Sequence, residues 1–289
     1  MARRRGLRRL AVLLLALALV AGGIYSAVFF VQRSETLVSE RCTAVVGDRT
    51  AELAPDQAVY ASLITAVAVQ RGLPPRAASI ALATAMQESK LRNIAHGDQA
   101  GPDSRGLFQQ RPSQGWGTEE QVMDPYYAVN AFYDALVKVP DYETLDITDA
   151  AQRVQRSAYP SAYAQHEDMG RSFASGLSGQ TPEAVQCTLR SSGSAGDAAA
   201  VAAELSTAYG ALDASVEGQT VAVNASGSQA WSVAQWAVAN AKGLEVTRVE
   251  VAGRSWDRAD RNGWQESAAP DGQVRITVAP QSTQAGVGQ

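Results

Sequence analysis

The sequence predicts a mainly α domain over residues 55–190 and a small α+β domain over 201–280, both behind an N-terminal transmembrane helix. Three observations predict this. An uncharged run, Leu10–Val31, follows a cluster of arginines. An Ala-rich block from Pro55 onward is punctuated by Pro and Gly at helical lengths. Beyond Ser191–Ser194 and Gly196, a small-residue linker over 191–200, short alternating segments take over.

At 289 residues the chain has room for one or two domains, each able to bury a core. With 46% hydrophobic and 19% charged residues it does not have the composition of a disordered chain. Six of its 25 basic residues (Arg3, Arg4, Arg5, Arg8, Arg9 and Arg33) lie in the first 33 positions, where no acid occurs. The other 19 face 29 acids, so the body is acidic and offers no basic face for nucleic acid. His96 and His166 are isolated, and no CxxC or His/Cys cluster is present. No metal, cofactor or nucleic-acid partner is expected.

Residues 1–9 read as a basic cytoplasmic segment. Leu10–Val31 is broken in polarity only by Tyr25 and Ser26. At 1.5 Å per residue it spans roughly 33 Å, enough for a hydrocarbon core of about 30 Å. The preceding arginines keep the N-terminus cytoplasmic and export the rest, which predicts a single-pass anchor in the cell membrane. The competing reading is a cleaved signal peptide and a secreted body; Ala21 and Gly23 offer small residues for cleavage, but Ile24–Val31 remains as an apolar stub. Residues 32–54 read as a stalk.

Asp56 to Arg71 is the first expected helix of the body, with Gly72 as its stop. Pro74–Pro75 opens a second, running to about Leu91. Asn93–Gly117 holds five glycines, two prolines and three Asp or Asn residues, and reads as a long ordered loop. Helices resume over 124–139, 148–156 and 159–176. In the last domain 201–209 and 229–242 are helical, the latter amphipathic. Thr220–Asn224, Thr247–Val251 and Val274–Val278 alternate like strands. Residues 281–289 form a loose tail.

Cys42 and Cys187 are the only cysteines. In an oxidising compartment they read most simply as one disulfide; two unpaired buried thiols are the alternative.

On the second helix Ile80, Thr84 and Glu88 lie four apart on one stripe, with Ala77 and Leu91 beside it. Glu88 thus sits at the edge of an apolar face. Burial there favours the protonated form, which suits a general acid working near neutral pH. An ordinary glutamate that reaches solvent, or pairs with Lys90 or Arg92, has the same spacing.

The strings ATAMQESKLRN and DSRGLFQQ resemble the Glu-Ser and Ser-x-Gly-Leu-x-Gln signatures of the soluble lytic transglycosylase family, through Glu88–Ser89 and Ser104, Gly106, Leu107 and Gln109. The longer runs GLFQQRPSQGWGTEEQVMDP and AAQRVQRSAYPSAYAQHE are similar to exported actinobacterial proteins with such domains. The resemblance covers roughly residues 55–178 and implies a lysozyme-like fold for the catalytic domain. It also implies that Glu88 protonates the leaving oxygen of the β-1,4 bond between N-acetylmuramic acid and N-acetylglucosamine. Ser89 would orient Glu88, Gly106 would make the tight turn, and Ser104 and Gln109 would bind glycan. Gln155, with Tyr159 or Tyr163, would face the opposite wall. Of the aromatic residues, Trp116 in the Gly-rich loop is the best candidate to stack on a sugar. Where the family carries Ala-Tyr-Asn-Ala-Gly, this chain has VQRSAYP; the usual Tyr-Asn pair is absent, and Gln155 and Ser157 offer polar groups of similar reach.

A two-carboxylate glycosidase needs a second acid about 5–9.5 Å from the first. Asp98, Asp103, Glu119 and Glu120 are available and spacing selects none; plain hydrolysis would use Asp103. A lytic transglycosylase needs only one acid, because the muramyl 6-hydroxyl closes a 1,6-anhydro ring. The sequence supports that single-acid scheme better. The run AWSVAQWAVANAKGLEVTRVEVAGRSWDR, with GQVRITV after it, resembles a C-terminal module of secreted wall-associated proteins, which implies a binding or docking role. The expected partners are peptidoglycan glycan strands and the cytoplasmic membrane, and envelope or secretion-system proteins. Two further functions compete with the enzyme: a strand-binding protein without turnover, and a scaffold of an envelope-spanning apparatus.

Overall fold

The computed structural model describes residues 14–26, 38–99, 101–156 and 160–280. The expected segments 1–9 and 281–289, and Tyr159, lie outside these. The chain divides into two compact units, Met1–Ser39 and Glu40–Gln289. Residues 14–26 of the first are helical (α1), with Leu14, Leu15, Leu17 and Leu19 exposed. Among the described residues no helix is long and apolar enough to cross a membrane. The transmembrane helix of the expected architecture is therefore not found. Positions 10–13 and 27–31 of the expected span lie outside the described residues.

The expected mainly α domain followed by a small α+β domain is also corrected. About 46% of the structure is helix and 18% strand, with two antiparallel sheets of three and six strands. The segment expected to be a stalk folds as a hairpin of β1 (Arg41–Val46) and β2 (Arg49–Leu53), turning at Gly47, which has φ +61°. Strand β3 (Val185–Thr188) pairs with the other edge of β1, and Cys42 lies opposite Cys187, to which it is disulfide-bonded. These strands are four to six residues long, too short for a period of 2 to be told from one of 3.6.

Helix α2 is Pro55–Gln70, with proline in its first turn and the Ala54 amide donating to Gln57 Oε1 at 2.8 Å. Helix α3, Pro75–Ser89, ends where Lys90 turns left-handed at φ 55°; the Lys90 and Leu91 amides reach back to Met86 and Ala85 at 3.1 Å each. Two short elements follow, a 3-10 turn at Pro112–Gln114 and α4 at Glu119–Met123. Helix α5 (Pro125–Leu136) is capped by Asp124, and α6 is Ile147–Gln155. The 3-10 segment Pro160–His166 leads into α7, Glu167–Leu177. Helices α3 and α7 pack closely at Gly170, where a Cβ would stand 2.6 Å from the Ser79 carbonyl. Phe108 stacks on Phe132 at 4.4 Å, joining the Gly-rich loop to the core.

Beyond α8 (Ala198–Tyr209) and β4 (Ala214–Glu217) come β5 (Thr220–Asn224), α9 (Gly227–Ala239), β6 (Val246–Val251), β7 (Arg254–Asp257), β8 (Gln265–Glu266) and β9 (Gln273–Val278). The sheet order is β4-β5-β9-β6-β7-β8. Its tryptophans are used in packing. Trp264 Nε1 donates to the Val185 carbonyl at 2.9 Å and Trp256 Nε1 to that of Cys187 at 3.3 Å, while Trp231 meets Trp264 edge-on at 5.3 Å. The fully buried Gln235 of α9 donates to Gly176 O at 2.7 Å and accepts from Val185 N at 2.6 Å, leaving its polar ends satisfied. These bonds tie the C-terminal sheet to β3 and α7 within the single unit Glu40–Gln289.

Candidate active site

Glu88 lies in the last turn of α3, below a cleft of about 650 Å³. The stripe above it is buried as its spacing requires, with Ile80 and Thr84 at 0% exposure. Burial, hydrogen bonds, a nearby charge and the helix end set its proton affinity. Burial pushes the Glu88 carboxyl above the usual carboxylate range, hydrogen bonds from Tyr163 and Gln155 draw it part of the way back, and the charge of Asp98 adds to the rise. The negative end of the α3 dipole acts in the same direction as burial. A half-buried carboxyl that stays protonated above its ordinary range is a proton donor.

Tyr163 is fully buried, and its hydroxyl donates to Glu88 Oε1 at 2.7 Å across 75 positions of sequence. Gln155 donates to the Phe108 carbonyl at 2.7 Å and also bonds Glu88. Tyr163 and Gln155 are thus the hydrogen-bond partners of Glu88; Ser157 and Tyr159 lie outside the described residues. With Tyr163→Phe, Glu88 loses a bond that lowers its pKa, so its carboxyl should titrate at higher pH, followed by NMR. A titration that stays in place would show that the contact does not act on the carboxyl.

The loop is held against the helix from beneath. Ser89 Oγ lies 2.7 Å from the Leu107 carbonyl and 3.0 Å from that of Ala85, and accepts from the Arg92 amide at 3.2 Å. Ser89 therefore fastens the loop and is not a wall of the cleft. Gly106 turns at φ +77°, its amide donating to Ile94 O at 2.8 Å, and a Cβ there would stand 2.2 Å from the Val122 carbonyl. Both the conformation and the space demand glycine. Gly106→Ala should cost about 3 kcal/mol from strain and overlap, read as a lower urea midpoint; an unshifted midpoint contradicts this packing.

Gln109, at φ 49°, is a non-glycine residue held in the left-handed region on the cleft wall. Ser104 and Trp116 line the same cleft, so Glu88, Ser104, Gln109, Trp116 and Gln155 are brought together. Asp103 does not join them. Hydrogen bonds from the Ser113 hydroxyl and amide and from the Arg111 guanidinium hold its carboxyl well below the usual range; Arg111 Nε lies 2.8 Å from Oδ1 and Ser113 N 3.0 Å from Oδ2. Its oxygens serve the loop, and it is absent from the cleft lining. Glu119 pairs with Arg105 at 3.1 Å, outside the cleft. The carboxylate that does share the cleft with Glu88 is Asp98, whose Oδ1 accepts from the Gly101 amide at 2.8 Å. His96 and Arg156, also on the lining, were not singled out by the sequence as site residues, because nothing local marks which loop side chains turn inward. No family model matches the chain, and no curated protein does.

Proposed function

We propose that the chain is an exported peptidoglycan-cleaving glycosidase, a lytic transglycosylase held at the cell membrane by its N-terminal segment. Glu88 carries the reading: a carboxyl whose pKa burial raises, oriented by Tyr163 and Gln155, at the foot of an open cleft. A glycan strand lies along the cleft with a sugar on Trp116, which faces the same space. Glu88 gives its proton to the oxygen joining muramyl C1 to glucosaminyl C4, and that C1–O bond breaks. The ionised Glu88 then takes the proton of the muramyl 6-hydroxyl as its oxygen bonds to C1. The anhydro ring closes and the acid is restored. The negative charge of Asp98 in the cleft opposes the positive charge that develops at C1. The Cys42–Cys187 disulfide supports the exported location, since such bonds persist in oxidising compartments. The exposed leucines over residues 14–26 support membrane attachment.

One observation favours a second reading, hydrolysis. Asp98 shares the cleft with Glu88 and could take a proton from an attacking water. The first test is release of soluble muropeptides from purified sacculi. Release supports the glycosidase; binding with no release assigns the chain instead to strand-binding or envelope-scaffold proteins.

A further inference from the structure

We propose that the cleft continues past Trp116 into a cationic arm that holds the anionic peptide stem of a muramyl residue; this rests on the glycosidase reading above. A second cavity of about 840 Å³ shares Gln114, Trp116, Gln155 and Arg156 with the one over Glu88, so the two open into each other as one trough. The charge changes along it. The first half sets the carboxylates Glu88 and Asp98 against the shared Arg156 and Arg111, the latter paired with Asp103. The second holds Lys138, Arg153 and Arg156, all exposed, and its one carboxylate, Asp134, is taken by Arg71 at 2.6 Å.

Among the described residues no ion pair holds any of these three cations. Local structure gathers them. Arg153 and Arg156 are three apart at the end of α6, where Arg156 turns left-handed at φ 52°, and Lys138 lies just past the end of α5. The body carries 19 basic against 29 acidic residues, so three uncommitted cations on one trough run against its charge balance.

The hydroxyls and acetamides of a glycan strand carry no charge for them to meet. The carboxylates that travel with a strand sit on the peptide stems of its muramyl residues. A phosphate on the muramyl 6-oxygen is the other anion a strand can bring. A strand seated with its scissile bond over Glu88 and a sugar on Trp116 would direct a stem into the second half of the trough.

The test uses the full-length chain carrying Glu88→Gln, so that binding is read without cleavage. Its affinity is measured for three strands: peptide-bearing, peptide-stripped, and stripped but 6-phosphorylated. The peptide-bearing strand should bind roughly tenfold tighter than the stripped one at low salt, two or three exposed charge pairs being worth about that. Adding Lys138→Gln and Arg153→Gln should bring the ratio near one. Equal affinity for the first two strands, or a preference that survives those substitutions, overturns the proposal. A tenfold preference for the phosphorylated strand alone overturns the peptide assignment. Peptide preference in a chain whose wild type releases nothing from sacculi leaves the arm standing and overturns the glycosidase reading. Release without preference does the reverse.

Discussion

Replacing Glu88 with glutamine should lower kcat by about 10²–10⁴-fold, the usual contribution of a positioned general acid, while strand binding is kept. The substitution is nearly isosteric, and the amide oxygen can still accept the hydrogen bond that Tyr163 Oη makes to Glu88 Oε1 at 2.7 Å. What is lost is the proton. In the wild type kcat should fall as pH rises through the raised Glu88 pKa, because the donor form is then depleted. The same shift has a consequence for stability. A carboxyl whose folded pKa lies above its unfolded value favours the fold fully below the unfolded pKa, and that contribution is lost as pH rises through the folded pKa. Glutamine has no such loss. Glu88→Gln should therefore melt at a higher temperature than wild type at neutral pH, and the difference should vanish below about pH 4. A variant that is inactive and melts earlier at neutral pH would mean that Glu88 is a structural residue.

The second large effect concerns Cys42 and Cys187. They face each other across β1 and β3, 145 positions apart in sequence. Closing a loop of that length removes denatured-state entropy worth about 4–5 kcal/mol in the chain-entropy model. The double variant Cys42→Ala/Cys187→Ala should lose stability of that order, and reductant should do the same to wild type and nothing to the variant. The loss should be felt beyond the hairpin, since the Trp256 indole bonds the Cys187 carbonyl and the Trp264 indole that of Val185 on the same strand. Chemical denaturation with and without reductant measures it; coincident curves for wild type and variant would contradict the account.

The part of the site legible in the sequence is the local part. Glu88 at a helix end, and Gln109 three residues past the tight turn at Gly106, each follow from local sequence, and both line one cleft. Tyr163 was named as a wall residue, but its bond to the Glu88 carboxyl depends on how the 3-10 segment docks on α3. For a second carboxylate the sequence points to Asp103, whereas the cleft holds Asp98. The difference is decided by which carboxylate the loop consumes: Arg111 and Ser113 engage both oxygens of Asp103, whereas Asp98 remains on the cleft. The missed strands fail for another reason. β1 becomes central only because β3 arrives on its second edge from far along the chain, and β4 is four residues long with every one exposed, so it has no inward-outward alternation to detect. Nothing local marks which tryptophans bond to β3; only the fold shows that Trp256 and Trp264 do.

The central claim is that one carboxyl serves as acid and then as base. The mass spectrum of products released from sacculi in ¹⁸O-water tests it most directly. The account predicts 1,6-anhydromuramyl ends with no solvent oxygen, absent with Glu88→Gln. Reducing ends labelled from the water would contradict the single-carboxyl scheme and give the second role to Asp98.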